Sequence, residues 1–167
     1  MKKFIILAAL GLVAFSAQAQ NYMVVNTETI FKSITAYNNA NTSLDNLGQQ
    51  YQKEVDDAFA EVEKMYNDYI QQKPYLSESA RITREKGILD REEQINKYQE
   101  QIFGPEGELM KKRVELIKPI QDRVFETINK YAAANGQAIV LDIANNPMVL
   151  YYAPSADKTE EIIKLVK

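Results

Sequence analysis

Apolar residues spaced alternately three and four apart run through most of this 167-residue chain and are interrupted once, at residues 73–77 (KPYLS). This spacing places apolar side chains along one stripe of an α-helix, and such a stripe needs a partner helix to cover it. A short connection between two long helices makes them antiparallel. The sequence therefore predicts a long antiparallel helical hairpin, a coiled-coil arm, over residues 29–119 with its tip near residues 73–77.

The two stripes predict which residues meet across the hairpin. Residues whose numbers add up to about 152 are expected to face each other, so that Ile70 meets Ile82 and Tyr51 meets Gln101. The first stripe comprises Ile30, Ile34, Tyr37, Ala40, Leu44, Leu47, Tyr51, Val55, Ala58, Val62, Met65 and Tyr69. The second comprises Ile88, Ile95, Ile102, Leu109, Leu116, Ile117, Ile120, Val124, Ile128 and Tyr131.

One height of the hairpin is rich in helix-weakening residues. The same register places Gly48 opposite Gly104 and Pro105, with Gly107 close by. Glycine lowers helix propensity and an interior proline removes a backbone hydrogen bond. Two interpretations stay open: a bend or hinge shared by both helices, or a kink in the second helix alone with Gly48 merely tolerated, since glycine costs only about 1 kcal/mol in a helix.

The first nineteen residues have the three parts of a secretory signal. Lys2 and Lys3 are followed by an apolar run over residues 4–15 and by Ala17-Gln18-Ala19, the small-x-small pattern that signal peptidase recognises. The alternative, an uncleaved membrane anchor, needs about 20 apolar residues, more than this run supplies. We therefore predict a signal peptide at 1–19, cleavage after Ala19, and an exported product without a membrane anchor.

The two ends of the exported chain have strand-like composition. Residues 22–25, 138–143 and 148–152 are short runs of apolar, β-branched or aromatic residues, and the last two are separated by the turn sequence ANNP. Asn26 and Thr27 are good helix N-caps, Asn135-Gly136 is a helix-ending signal, and Asp157 with Glu160 resembles a capping box. The predicted fold class is mainly α with a small β body (α+β), a three-stranded sheet built by residues 20–28 and 120–167.

The predicted strands are apolar at nearly every position, as in sheets that are covered on both faces. One chain offers little cover, and exposed apolar edge strands aggregate unless they are paired. The sheet is therefore expected to join those of other copies in a homo-oligomer, although this argument sets no copy number. The oligomerisation candidates are Val24, Val25, Ile139, Val140, Leu141, Val149, Leu150 and Tyr151.

Composition restricts the chemistry. The chain has no His and no Cys, which removes the commonest general base, the commonest thiol nucleophile and most transition-metal sites. Asp142, near a strand end, is the only carboxylate with a context, and we interpret it as a turn or interface residue. No enzyme, cofactor or metal is predicted. Without Lys2 and Lys3 the exported chain has 18 basic and 23 acidic residues, a net charge of −5, which argues against nucleic acid as a partner.

Aromatic residues along the predicted hairpin exceed what a minimal seam requires. They offer dispersed apolar contacts to an extended partner, and the alternative is that most of them complete the seam. The charged runs beside them are typical of a solvated helical face. The candidates for binding such a partner are Tyr51, Phe59, Tyr66, Tyr69, Tyr75, Tyr98 and Phe103.

The order of these elements resembles the Skp/OmpH family of periplasmic chaperones. The similarity is most specific in the C-terminal segment INKYAAANGQAIVLDIANNPMVLYYAPSADKTEEII and extends to VVNTETIF near the start. Within the C-terminal segment, the residues that match the family's helix, strand, turn, strand and Asp-x-Thr cap are Ala132, Gly136, Val140, Asp142, Val149, Leu150, Tyr151, Asp157 and Thr159.

The resemblance implies a homotrimer whose helical arms enclose a cavity that holds unfolded outer-membrane proteins without ATP. The chain departs from the family in its acidic balance, which puts electrostatic capture of acidic clients in doubt, and at Lys158, where an apolar residue is common. An ATP-independent periplasmic holdase is the expected function. The alternative is a structural coiled-coil spacer or envelope assembly factor without holdase activity. Peripheral contact with the membrane is left open.

Overall fold

The computed structural model describes residues 21–167. The predicted signal peptide and the expected mature start at Gln20 lie outside this range. Contacts group the described residues into two compact units: a body unit, residues 21–34 with 123–167, and an arm unit, residues 35–122. In chain order the elements are β1 (Tyr22–Val25), α1 (Thr27–Lys32), α2 (Thr35–Gln72), α3 (Glu78–Phe103), α4 (Glu108–Ala134), β2 (Ile139–Asp142) and α5 (Thr159–Val166), with short 3-10 turns at Lys73–Tyr75 and Pro154–Ala156.

The arm unit is a helical hairpin that turns at Lys73–Tyr75. Pro74 cannot donate a hydrogen bond to a continuing helix, and Ser77 starts α3 by accepting a hydrogen bond from the backbone N–H of Ala80 at 3.3 Å. The side chain of Arg81 then donates to the backbone oxygen of Lys73 at 3.1 Å, which ties the start of α3 back to the turn. The predicted hairpin of long helices is therefore confirmed.

The predicted seam is confirmed as well. Every residue of the first stripe is buried or half-buried, and Val55, Ile95 and Ile102 are almost completely enclosed. In the second stripe Leu116 is exposed, while the adjacent Ile117 is buried against Ala40 and Leu44. Because the stripe drifts around a long helix, one of two adjacent apolar residues enters the seam and the other is left outside it.

Polar contacts between the two helices establish the register. Arg91 donates to Glu61 at 2.8 Å, and the Tyr98 hydroxyl donates to Glu54 at 2.6 Å. The residue numbers of each pair add up to 152, so the predicted register is confirmed. Antiparallel helices with one short turn allow little freedom in this respect, because the position of the turn determines which residues meet.

The second helix of the hairpin is broken at residues 104–107. Gly104 ends α3 with an extended conformation, its N–H donates to the oxygen of Glu100 at 2.8 Å, and the N–H of Gly107 donates to the oxygen of Gly104 at 2.9 Å. By contrast, α2 runs through Gly48 without interruption. The weak point is thus a break in the second helix alone, which is the interpretation in which Gly48 is only tolerated.

The glycines of this region differ in what a side chain would meet. A Cβ added to Gly104 would lie 2.3 Å from the oxygen of Glu100, and one added to Gly107 would lie 2.4 Å from the oxygen of Ile102. A Cβ on Gly48 would meet only Cδ2 of Leu109, at 3.7 Å. The break therefore depends on close backbone approaches that only glycine permits.

Gly104→Ala and Gly107→Ala are accordingly expected to lower the free energy of unfolding by about 1–3 kcal/mol, the usual range for a forced clash in packed structure. Gly48→Ala is the matched control and should raise it by up to about 1 kcal/mol, because alanine is the better helix former. Denaturant unfolding followed by circular dichroism measures all three. A neutral Gly107→Ala would show that the break does not depend on this close approach.

The sheet of the body unit differs from the prediction. The described residues contain a two-stranded parallel sheet in which β1 pairs with β2, from Tyr22 opposite Ile139 to Val25 opposite Asp142. Residues 148–152, expected to be a third strand in a hairpin with β2, form no strand. The predicted three-stranded sheet is therefore wrong for the single chain.

The loop after β2 explains why that hairpin does not form. Asn145 adopts a left-handed conformation with φ 55°. The side chain of Asn146 closes the loop, because it accepts a hydrogen bond from the N–H of Met148 at 3.0 Å and donates one to the backbone oxygen of Asp142 at 3.0 Å. None of residues 148–152 beyond it is buried, and Leu150 is 93% exposed. An apolar strand without a covered face is not stable in one chain.

The core of the body unit lies around β1. Met23, Val24 and Val25 are buried together with Ile30 and Ile162. On the side of β1 away from β2, the N–H of Lys158 donates to the oxygen of Val24 at 2.9 Å. Both edges of β1 are thus occupied, while β2 has a strand neighbour on one side only within residues 21–167.

Side-chain caps hold the helices of the body unit in place. Asn26 accepts from the N–H of Thr29 at 2.9 Å, as predicted for an N-cap. Asp142 accepts from both the N–H and the hydroxyl of Thr27, at 3.1 and 2.6 Å, and from the N–H of Ala144 at 2.9 Å. Asp142 is therefore a turn residue that also caps α1, which agrees with its interpretation from the sequence.

Two further helix ends were predicted from the sequence. Gly136 adopts φ +63° after α4, and the N–H of Gln137 donates to the oxygen of Ala132 at 2.9 Å, which confirms the helix-ending signal. The capping box at Asp157 is one residue off: Lys158 is the N-cap of α5, and Asp157 accepts from the N–H of Thr159 at 2.9 Å.

Candidate functional site

The aromatic candidates of the arm unit fall into three groups by exposure. Tyr66, Tyr75 and Phe103 are exposed, Tyr75 most of all at 89%. Tyr51, Phe59 and Tyr98 are half-buried beside the seam. Tyr69 is 3% exposed and lies within the seam. The structure therefore brings three of the candidates to the surface and keeps the others in or beside the hairpin core.

Tyr69 is held by polar partners near the tip. Its hydroxyl donates to Glu85, and the ammonium of Lys73 lies 5.3 Å from the centre of its ring and 3.5 Å from Glu85. The hydrogen bond lowers the pKa of Glu85 and raises the pKa of Tyr69, because it stabilises the carboxylate and the protonated phenol together. The three groups join α2 to α3.

Two further tyrosines, Tyr51 and Tyr98, form hydrogen bonds with carboxylates close to the break. The hydrogen bond from Tyr98 to Glu54 raises the pKa of Tyr98 to about 12 and lowers the pKa of Glu54. The pKa of Tyr51 is raised by desolvation and then by its hydrogen bond with Glu108. Both phenols stay protonated at neutral pH. They connect α2 to α3 and to α4, on either side of the break.

Sequence analysis missed a set of exposed aliphatic residues on the arm unit. Ile70 and Ile82, expected to face each other in the seam, are both exposed, and so is Leu89. These residues stand next to seam residues in the chain, as Ile70 follows Tyr69 and Leu89 follows Ile88. Adjacent apolar pairs are the signal that could have found them, since consecutive residues of a helix cannot face the same partner.

Near the tip these side chains form a groove. Tyr66, Ile70 and Leu89 line it together with the Tyr69, Lys73 and Glu85 cluster, and its volume is about 330 Å³. Exposed apolar side chains cluster here although the seam beneath them is already filled. Clustered exposed apolar side chains are typical of surfaces at which proteins bind other molecules.

The oligomerisation candidates of the body unit also divide by exposure. Val24 and Val25 are buried in the core of their own chain. Val140 and Val149 are half-buried, whereas Ile139, Leu141, Leu150 and Tyr151 are exposed. The exposed apolar side chains therefore lie on β2 and on the irregular segment that follows it.

The described part of the chain offers no obvious metal site: across residues 21–167, no three acidic side chains come together in a way that could hold an ion. None of the helices among the described residues is long and apolar enough to cross a membrane. The features that remain as candidates are extended apolar surfaces.

These features define a class: a mostly helical α+β protein with long coiled-coil-like helices, a small parallel sheet and exposed apolar surface. The family model described as outer membrane protein (OmpH-like) matches residues 21–166. The chain belongs to this OmpH-like family, whose members are periplasmic chaperones of outer-membrane proteins and not enzymes. A search of curated proteins finds no match to the chain.

Proposed function

We propose that this protein is an ATP-independent periplasmic holdase that binds unfolded outer-membrane proteins between helical arms and prevents their aggregation. The observation that carries the proposal is the apolar surface of the arm unit. Tyr66, Tyr75 and Phe103, with Ile70 and Leu89, stay exposed although the hairpin already has a filled seam. The family supplies the class of client, outer-membrane proteins.

Dispersed apolar contacts suit an unfolded client. Burial of apolar surface stabilises a complex by roughly 25 cal/mol per Å² and has no directional requirement, so many client segments can use the same side chains. Release then needs no nucleotide, because each contact is individually weak. The client gains cover for its own apolar segments and is kept from pairing with other unfolded chains.

We infer further that the protein is a homo-oligomer, with three copies as the family resemblance implies. β2 keeps an edge without a strand neighbour within residues 21–167, and the side chains of Leu150 and Tyr151 are 93% and 82% exposed. An edge and an apolar segment of this kind cover each other when copies associate. Assembly through the body unit would bring several arms together around one client.

The place of action follows from the predicted export signal and from the family. Cleavage after Ala19 would release the exported chain into the periplasm, where unfolded outer-membrane proteins pass. The charge of −5 expected for that chain gives no general attraction to nucleic acid or to acidic clients. Peripheral contact with the membrane is compatible with this placement.

The test of holding is a light-scattering assay in which an unfolded β-barrel membrane protein is diluted out of urea, without nucleotide, into the purified exported chain. Tyr66→Ser, Tyr75→Ser and Phe103→Ser together are expected to weaken suppression of aggregation about tenfold or more, because the client loses its largest apolar contacts. The matched control is Lys64→Gln, Arg84→Gln and Lys86→Gln, exposed cations for which the described structure has no ion pair. It should change suppression little, since exposed charge contacts are mostly screened.

Salt separates this mechanism from electrostatic capture. The Debye length is about 8 Å at physiological ionic strength, so a client held by charge would be released steeply as salt rises. We expect the affinity for an acidic client to stay level or to improve. A steep loss with salt, with the serine variant unaffected, would contradict apolar holding. Full client aggregation at every protein concentration would favour the structural spacer.

A further inference from the structure

A cleft lies beside the break in the second helix of the arm unit. It has a volume of about 340 Å³ and is lined on its apolar side by Leu44 of α2 and by Phe103, Leu109 and Met110 around the break. Leu44 is buried and Leu109 half-buried, so these two form the floor. Phe103 and Met110 are exposed and form the rim.

The break creates this cleft. The helix stops at Phe103 and starts again at Glu108, and Gly104 and Pro105 of the break form part of the cleft lining. The segment is nevertheless ordered by backbone hydrogen bonds, among them the N–H of Lys111 to the oxygen of Gly107 at 3.1 Å. The cleft is therefore preformed, and its volume falls within the range of about 300–1,000 Å³ that is typical of ligand pockets.

The lining also includes two charged side chains, Asp45 on α2 and Arg113 on α4, beside the polar Asn41. Ion pairs are common elsewhere on the arm unit, for example Arg91 with Glu61 at 2.8 Å. Within the described residues, however, neither the Asp45 carboxylate nor the Arg113 guanidinium has an ion-pair or hydrogen-bond partner. The cleft thus offers an acceptor and a set of donors beside an apolar floor.

This combination selects the kind of ligand. A peptide main chain presents N–H donors for the Asp45 carboxylate and C=O acceptors for the Arg113 guanidinium, and its side chains supply apolar bulk. A hydrocarbon or a lipid tail would fill the floor but would make no contact that uses the two charged groups, which are exposed to water. The volume accommodates one or two side chains and excludes a folded domain.

We propose that the cleft binds an extended segment of an unfolded polypeptide, with one bulky apolar side chain on Leu44 and Leu109 and the main chain held by Asp45 and Arg113. The inference rests on the proposed holdase function and names a defined site within it. It adds an anchored contact to the dispersed apolar surface. Phe103, a candidate from the sequence, closes one side of the site.

The probe for this site is a short blocked peptide with a single phenylalanine among uncharged polar residues, labelled for fluorescence anisotropy. The full exported chain should bind it, and the same peptide with serine in place of phenylalanine should bind at least about tenfold more weakly. Phe103→Ser with Met110→Ser should lose a similar factor. Asp45→Asn with Arg113→Gln should lose several-fold while the preference for phenylalanine persists.

Two control variants match these changes at other exposed positions. Val114→Ser with Leu116→Ser removes a comparable apolar pair from α4, and Asp90→Asn with Arg84→Gln removes one charge of each sign. Both should leave peptide affinity unchanged. Circular dichroism of every variant checks that helix content is kept, so that lost binding is not lost folding.

Other occupants appear as distinct outcomes. Suppose that an alkyl detergent displaces the peptide, and that the variant with Asp45→Asn and Arg113→Gln binds the peptide as tightly as the parent does. The cleft is then only an apolar depression and the proposal is wrong. If the parent binds no peptide yet suppresses client aggregation, the cleft proposal fails and the holdase stands. If the parent binds the peptide and the cleft variants abolish this binding, but the parent does not suppress client aggregation, the cleft proposal stands and the holdase proposal fails.

Discussion

Leu150→Asp is expected to convert the proposed homo-oligomer into folded monomers. The side chain is 93% exposed in the single chain, so a carboxylate there costs the monomer almost nothing. Buried between copies without a partner, the same charge would cost several kcal/mol, enough to abolish assembly at micromolar concentration. Native mass spectrometry gives the copy number and circular dichroism gives the helix content, which should be unchanged.

Two comparisons sharpen this result. Ser155→Asp adds the same charge at an exposed polar position of the body unit and should leave assembly intact. Val24→Asp places the charge in the core of the chain itself, where the side chain is fully enclosed, and should unfold the body unit as well as dissociate it. An unchanged oligomer in the Leu150→Asp protein would show that the exposed segment after β2 takes no part in assembly.

The second large effect concerns α5. Ile162 is 0% exposed, and Ile162→Ala is expected to lower the free energy of unfolding by about 2–5 kcal/mol through lost burial and the cavity that remains. Leu165, about one turn further along the same helix, is 60% exposed. Leu165→Ala should change the free energy of unfolding by no more than about 0.5 kcal/mol. Denaturant midpoints measure both, at one protein concentration because assembly couples to folding.

Equal effects of the two substitutions would mean that α5 does not pack through Ile162. The expected difference has a structural reason. Arg123 donates to the oxygen of Val166 at 3.0 Å, and Thr159 accepts from the N–H of Asn26 at 2.9 Å, so both ends of α5 are tied to the rest of the body unit. The helix therefore cannot rotate to bring Leu165 into the core in place of Ile162.

The candidate surface was only partly predictable from the sequence. The excess of aromatic residues identified Tyr66, Tyr75 and Phe103, which are exposed, but it could not separate them from Tyr69, which the seam buries. At Tyr69 and Ile70, which are adjacent, the stripe placed Tyr69 in the seam and the facing-pair rule placed Ile70 there as well. The packing of α3 against α2 decides between them, because only one of two consecutive residues can face the partner helix.

The body unit shows a different limit. The apolar runs at residues 22–25 and 138–143 identified the strands. The local sequence, however, does not determine which strands pair or whether they pair in parallel. β1 and β2 pair in parallel across more than a hundred residues of intervening chain. The expected hairpin failed because Asn145 turns the chain in a left-handed conformation, because Asn146 closes the loop by hydrogen bonds, and because none of residues 148–152 is buried in the single chain.

The sequence by itself determined the hairpin of long helices, its seam and its register. A period of three and four places apolar side chains on one face, and a single turn then dictates which residues meet; the pair of Glu61 with Arg91 shows that this holds. It also located the caps at Asn26 and Gly136, since these depend on neighbouring residues alone. Only the tertiary structure decided the parallel pairing of β1 with β2, the outward position of Ile70, and the cleft beside the break that is lined by both Leu44 and Arg113. Each of these brings together residues far apart in the chain, and such contacts are selected by the free energy of the whole packed unit, which local spacing does not record.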